Sequence, residues 1–141
     1  MSDVVFGRLK ALLGASGVER DATGLPRALP DTPDALSLVC RLAHDEGWKI
    51  RIEGHGTWLP PDAPADLAVC TRALDQVVSV SPADLVATVQ AGTTLETLRR
   101  RLADHGMWLA LDPPGRPERS LGSQRRALAH AEIPGAVVYV D

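Results

Sequence analysis

The sequence is poor in aromatic residues and in net charge, and each shortage argues against a class of protein. Only five of the 141 residues are aromatic, too few for the stacked platform with which many proteins bind single-stranded nucleic acid. The net charge of -3 supplies no broad basic field, so we expect neither nucleic acid nor an anionic membrane as a main partner. Small molecules and other proteins remain as partners.

Cysteines and long hydrophobic runs are also scarce. Cys40 and Cys70 form no C-x-x-C pair and have no histidine at metal-ligand spacing, so we expect two buried free thiols and neither a disulfide framework nor a zinc site. No apolar run approaches the roughly 18 residues that span a bilayer, and the first residues lack the features of a signal peptide. We therefore expect a cytoplasmic protein without membrane insertion.

The spacing of apolar residues predicts one α+β domain. Three segments have helical periodicity: 4–13, 32–47 and 94–105. Short extended segments are predicted at 48–53, 67–69, 77–80, 85–90 and 107–111, with a further candidate at 136–140. Residues 15–30 are predicted to be an irregular connector, and the strands between 67 and 90 to form a small meander. In the segment 48–53, alternation predicts that Lys49, Arg51 and Glu53 lie on the solvated face.

A glycine-rich loop, Gly54-His55-Gly56-Thr57, follows the strand predicted at 48–53. A dinucleotide-binding βαβ unit would open a helix here, but three prolines in residues 58–64 exclude one. A loop between two extended segments can still cradle a diphosphate with glycine-freed backbone N–H groups and the Thr57 hydroxyl. A tight turn that binds no ligand fits the local pattern equally well.

The order of several short motifs resembles the flavin-binding domain of the vanillyl-alcohol oxidase and p-cresol methylhydroxylase (PCMH) superfamily. Within it, the FAD-binding subunit of bacterial glycolate oxidase is the most similar. The motifs that carry the resemblance are the helix at Pro33, Glu46-Gly47-Trp48, Gly54-His55-Gly56-Thr57-Trp58, Leu74-Asp75, Ser81-Pro82-Ala83-Asp84-Leu85, Gln90-Ala91-Gly92 and Trp108-Leu109-Ala110-Leu111-Asp112-Pro113-Pro114-Gly115. The fold implied is the first, α+β subdomain of a PCMH-type FAD-binding domain, a small mixed sheet with flanking helices, in truncated form.

The resemblance implies FAD as the cofactor and assigns residues to it. The candidate cofactor-binding residues are Gly54, His55, Gly56 and Thr57 in the first loop, and Pro113, Gly115, Ser120 and Gly122 in a second segment. Some relatives attach flavin covalently through a histidine that aligns with Thr57, so non-covalent FAD is implied. Glu53 departs from the family, where an arginine often precedes the loop. A carboxylate beside a diphosphate weakens binding unless Arg51 offsets its charge.

The implied activity is that of an FAD-linked oxidoreductase of the glycolate oxidase type, which oxidises a 2-hydroxy acid. The implied partners are sister oxidase subunits, including an iron–sulfur protein. The resemblance covers residues 31–123; residues 1–30 are predicted to be an N-terminal helix and connector, and 124–141 a divergent tail. Because about half of the flavin site and the whole substrate domain have no counterpart here, we assign no turnover to this chain alone.

Two alternatives remain open. The first is a non-catalytic remnant or interaction module that binds no flavin, and the second is a small nucleotide or anion binder that uses only the first loop. Other residues have ordinary structural interpretations: Trp58 and Trp108 as packing residues, and Arg99-Arg100-Arg101 as a solvated helix face. His44 and His105 are interpreted as exposed residues near helix ends.

Overall fold

The computed structural model describes residues 1–54, 64–109 and 121, and the backbone of 137–140. The chain divides into two compact units, Met1–Leu74 and Asp75–Asp141. Among the described residues, no helix is long and apolar enough to cross a membrane. The mixture of helices and short strands confirms the predicted α+β class.

The first unit contains two helices, α1 (Ser2–Leu13) and α2 (Pro33–Asp45), where the apolar spacing predicts them. Thr32 is the N-cap of α2, because its hydroxyl oxygen accepts a hydrogen bond from the Ala35 N–H at 3.1 Å. Proline at the first helical position needs no hydrogen-bond acceptor there. Beyond α2, Gly47 has a φ of 69°, a left-handed conformation that favours glycine.

Four short strands form the sheet of the first unit. They are β1 (Val18–Arg20), β2 (Pro26–Ala28), β3 (Ile50–Glu53) and β4 (Leu67–Cys70), in the spatial order β1-β2-β4-β3. β1 and β2 are antiparallel, whereas β4 is parallel to both β2 and β3. The prediction of an irregular connector over 15–30 is therefore wrong. The predicted meander is also wrong, because β4 lies between β2 and β3 and is parallel to both.

One face of this sheet packs against both helices. The buried side chains of this core are Val5, Leu9, Val18, Ala28, Val39, Ala43, Leu67 and Val69. The Arg8–Glu46 ion pair, at 3.3 Å, also links α1 to the C-terminal end of α2. Cys70 is buried as predicted, but Cys40 is exposed on α2, so the prediction of two buried thiols is wrong for Cys40.

The second unit contains the antiparallel strands β5 (Val77–Ser81) and β6 (Val86–Val89), helix α3 (Leu95–Ala103) and strand β7 (Val137–Val140), which is parallel to β6. The predicted turn joins β5 to β6, and the Ser81 hydroxyl donates a 2.6 Å hydrogen bond to Asp84 within it. Thr94 caps α3 through the Thr97 N–H at 3.1 Å. Met107–Leu109 forms no strand, contrary to prediction; the rest of that predicted strand lies outside the described residues.

Candidate flavin-binding edge

The carboxyl ends of three parallel strands meet at one edge of the first sheet. β3 ends at Glu53, followed by Gly54, and β4 ends at Cys70, followed by Thr71. β2 ends nearby at Ala28 and is paired with β4. In open sheets with parallel strands, ligands bind outside the carboxyl ends, where loops converge. The predicted glycine loop therefore starts at the edge of the sheet that suits a ligand.

The residue before this loop, Glu53, is held by two arginines. Its Oε1 forms an ion pair with Nε of Arg27 on β2, and its Oε2 lies 3.5 Å from Nη2 of Arg51 on the same strand. The side chains of Arg51 and Glu53 are only 8% and 9% exposed, whereas Ile52 between them is 64% exposed. The prediction that Arg51 and Glu53 lie on the solvated face is therefore wrong, because their charges compensate each other within a buried ion-pair cluster.

Asp21 joins this cluster from the segment between β1 and β2. Its carboxylate accepts hydrogen bonds from Arg51 Nη2 at 2.8 Å, from the Thr23 N–H and hydroxyl at 2.8 and 2.6 Å, and from the Leu25 N–H at 3.0 Å. Burial alone would raise the pKa of Asp21, but these hydrogen bonds lower it to about 2. Asp21 is therefore a fixed negative charge that compensates Arg51.

Glu19 balances Arg27 from the other side. Arg27 Nη1 donates to Glu19 Oε1 at 2.9 Å, and Arg72 Nη2 lies 3.3 Å from both carboxylate oxygens. The hydrogen bond from Arg27 lowers the pKa of Glu19, which burial opposes. Burial likewise works to lower the pKa of Arg27, but Glu19 and Glu53 raise it above its usual value. We call Glu19, Asp21, Arg27, Arg51, Glu53 and Arg72 the strand-edge cluster.

Gly54 is the residue of the predicted first loop that the structure describes. Its carbonyl oxygen accepts a hydrogen bond from the thiol of Cys70, with a sulfur-to-oxygen distance of 3.1 Å. Burial raises the pKa of the Cys70 thiol, so this cysteine remains a neutral donor. The other three residues of the predicted loop, His55, Gly56 and Thr57, lie outside the described residues.

The second predicted segment is represented by Leu121 alone. The Leu121 N–H donates to the Thr93 carbonyl at 2.8 Å, and its side chain is buried in the core of the second unit. Thr93 is itself buried, and its hydroxyl donates to the Gln76 carbonyl at 3.2 Å. Leu121 is therefore attached to the residue that precedes the N-cap of α3. The candidate residues Pro113, Gly115, Ser120 and Gly122 lie outside the described residues.

The structure also describes some of the residues with ordinary structural interpretations. Trp108 is 80% exposed, so its interpretation as a packing residue is wrong; Trp58 lies outside the described residues. Arg100 is 70% exposed and pairs with Glu96 at 3.2 Å, as a solvated helix face predicts. His44 and His105 are exposed. Within the described part of the chain, no group of three or more His, Cys, Asp or Glu side chains could hold a metal ion.

Sequence reasoning missed the outer members of the strand-edge cluster. Glu19, Asp21 and Arg27 lie on or between two three-residue strands, which are too short to show a hydrophobic period. The available signal was the alternation of charged residues with Val18 and Ala28, which are buried on the other face. That signal identifies the strands but leaves their partners undetermined.

Comparisons with known proteins identify the family. A family model described as an FAD binding domain matches residues 27–131. Mitochondrial D-lactate dehydrogenase (cytochrome) 1 of Saccharomyces cerevisiae is 32% identical over 95 residues, an alignment that covers 61% of this chain and 16% of that protein. The chain therefore spans less than a fifth of that curated relative.

Solved structures show the same fold. An alkyldihydroxyacetonephosphate synthase superposes with a TM-score of 0.75 at 17% identity, covering 88% of this chain and 29% of that one. A p-cresol methylhydroxylase superposes with a TM-score of 0.65 at 14% identity, covering 79% of this chain and 27% of that one. The 4-ethylphenol oxidase of Gulosibacter chungangensis superposes with a TM-score of 0.69 at 15% identity, covering 86% of this chain and 28% of that one. The chain belongs to the FAD-binding domain family and has the fold of the PCMH-type flavoproteins.

Proposed function

We propose that this chain binds FAD non-covalently and serves an oxidoreductase of the glycolate oxidase type that oxidises a 2-hydroxy acid. The candidate binding residues are Gly54, His55, Gly56 and Thr57 in the first loop, and Pro113, Gly115, Ser120 and Gly122 in the second segment. FAD is the cofactor of the family, and when bound it accepts the hydride that such an oxidation releases. The chain supplies the position and electrostatics of the cofactor.

The position of Gly54 and the compensated charge of Glu53 carry the proposal. Gly54 follows β3 at the carboxyl edge of the parallel strands, where an anionic ligand meets loop N–H groups. The nearest carboxylate in sequence, Glu53, is paired with Arg27 and Arg51, so it does not present an uncompensated negative charge to a diphosphate. These two observations support the proposal that the phosphate part of FAD binds at this edge.

The FAD-binding domain family does not by itself specify a substrate, so the proposed substrate class rests on a relative. The yeast relative is named a D-lactate dehydrogenase, and lactate is a 2-hydroxy acid. This supports a 2-hydroxy acid as substrate of the whole protein. We further propose a cytoplasmic location and, as partners, sister oxidase subunits that include an iron–sulfur protein. We also propose residues 31–123 as the FAD-binding portion between residues 1–30 and a divergent tail at 124–141.

An interaction module that binds no flavin is the second candidate. One observation favours it: three large apolar side chains of the second unit are exposed, with Trp108 at 80%, Val78 at 57% and Leu85 at 54%. Exposed apolar side chains of this size are typical of protein contact surfaces when they form one patch. The flavin test below separates the two candidates.

The test is the visible absorption spectrum of the purified protein before and after incubation with FAD and removal of excess by gel filtration. We expect retained flavin absorbance that denaturation releases. The Gly56→Ala variant is expected to retain less flavin, because a Cβ restricts the loop backbone. Gly7→Ala is the matched control, since a Cβ at Gly7 of α1 meets nothing within 4 Å. A native protein that stays colourless would overturn the cofactor assignment for this chain.

A further inference from the structure

We propose that Glu53 is a positioning residue, which holds the end of β3 so that the loop beginning at Gly54 meets the diphosphate in a fixed orientation. This inference deepens the proposed flavin binding and rests on it. Its basis is that residue 53 is held through both its side chain and its backbone, immediately before the first candidate binding residue.

The side chain is held from two strands. Arg27 on β2 contacts Oε1 of Glu53, and Arg51 on β3 contacts Oε2. β2 and β3 do not pair directly, because β4 lies between them, and Ala68 of β4 is in register with both Arg27 and Arg51. The Arg27–Glu53 ion pair therefore connects two strands that share no backbone hydrogen bonds.

The backbone is held by β4. The carbonyl oxygen of Glu53 accepts the Thr71 N–H at 2.9 Å and lies 3.5 Å from the Thr71 hydroxyl. The next carbonyl, that of Gly54, accepts the Cys70 thiol at 3.1 Å. The two peptide groups that lead into the loop are therefore fixed to the carboxyl end of β4, and the ion pair with Arg27 also ties Glu53 to β2.

Charge and position predict effects of opposite sign when the carboxylate is replaced by an amide. Removing one negative charge beside a diphosphate strengthens binding by electrostatics alone, because the strand-edge cluster then carries a net positive charge, although Arg27 and Arg51 keep their ion pairs with Glu19 and Asp21. Removing the ion pairs loosens the end of β3 and misdirects the loop, which weakens binding. The direction of the change in affinity therefore identifies which role Glu53 has.

The experiment compares the native chain, Glu53→Gln and Glu19→Gln by titration calorimetry with FAD and with ADP, which carries the same diphosphate. Glu19→Gln is the control, since it also removes one carboxylate from Arg27 but lies on β1, which β2 and β4 separate from β3. We expect Glu53→Gln to raise both dissociation constants about tenfold and Glu19→Gln to change them less than twofold. Hydrogen exchange of the Thr71 amide, measured by NMR without ligand, is expected to quicken about tenfold in Glu53→Gln only.

Each other outcome is decisive. Unchanged or tighter ADP binding by Glu53→Gln would overturn the positioning role while leaving flavin binding intact. A carboxylate that only stabilises the fold would move the urea midpoint and leave the dissociation constants of the folded protein unchanged, which would also overturn it. A native chain that binds neither FAD nor ADP would overturn the proposed function, and the positioning role with it.

Discussion

The buried ion pair between Asp21 and Arg51 makes stability depend on pH in a calculable way. The usual pKa of an aspartate, 3.8, falls to about 2 in the folded protein, where the side chain is 7% exposed. A shift of this size corresponds to about 2 kcal/mol of stability, because each pKa unit is worth about 1.4 kcal/mol. Since the folded pKa is lowered, the contribution is fully present above about pH 4 to 5 and is lost as the pH falls through 2.

The perturbation that tests this reasoning is Asp21→Asn. We expect the variant to be about 2 kcal/mol less stable than the native protein at pH 7, with about half of that difference remaining near pH 3. Urea denaturation followed by circular dichroism at several pH values measures the difference. Asp3→Asn is the control, because Asp3 also pairs with an arginine, Arg20 at 2.7 Å, but is 96% exposed, where ion pairs contribute little.

Three results would refute this account. A variant as stable as the native protein at pH 7 would mean that Asp21 contributes no net stability. A loss of stability that stays constant between pH 7 and pH 3 would mean that the lost energy comes from packing or from neutral hydrogen bonds, not from the lowered pKa. An equal loss in Asp3→Asn would show that burial of the pair is not what matters.

Two further predictions concern packing and thiol chemistry. Leu98 of α3 is fully buried, so Leu98→Ala should destabilise the protein by about 2 to 5 kcal/mol in urea denaturation, whereas a loss below 1 kcal/mol would contradict its core position. Iodoacetamide at pH 8 should modify exposed Cys40 well before Cys70, whose pKa is raised by burial, and mass spectrometry of a time course measures the order; faster modification of Cys70 would contradict its burial.

Local signals were sufficient for the helices and for the start of the candidate site. α2 and α3 follow apolar spacing after Thr32 and Thr94, and in each case the threonine hydroxyl accepts a backbone N–H three residues on. β3 ends where Gly54 begins, as the change from alternating residues to glycine predicts. These features depend on contacts within a few residues, so the sequence alone specifies them.

Strand pairing was not predictable in the same way. β1 and β2 have three residues each, and the pairing of β2 with β4 depends on contacts between segments far apart in sequence. The strand-edge cluster was not predictable for the same reason. Asp21 and Arg51 are 30 residues apart in sequence, but Oδ2 of Asp21 lies 2.8 Å from Nη2 of Arg51. A periodic pattern locates a strand, but it contains no information about which strand lies next to it.

The sequence by itself determined the helices, the glycine loop after a strand and membership of a flavin-binding family, because these depend on local spacing and short motifs. Only the tertiary structure decided which individual side chains of β3 are buried. Alternation correctly separated Arg51 and Glu53 from Ile52, yet the charged side chains are buried and Ile52 is exposed. The physical reason is that Asp21 and Arg27, brought from other segments, compensate charges that no single strand could bury alone.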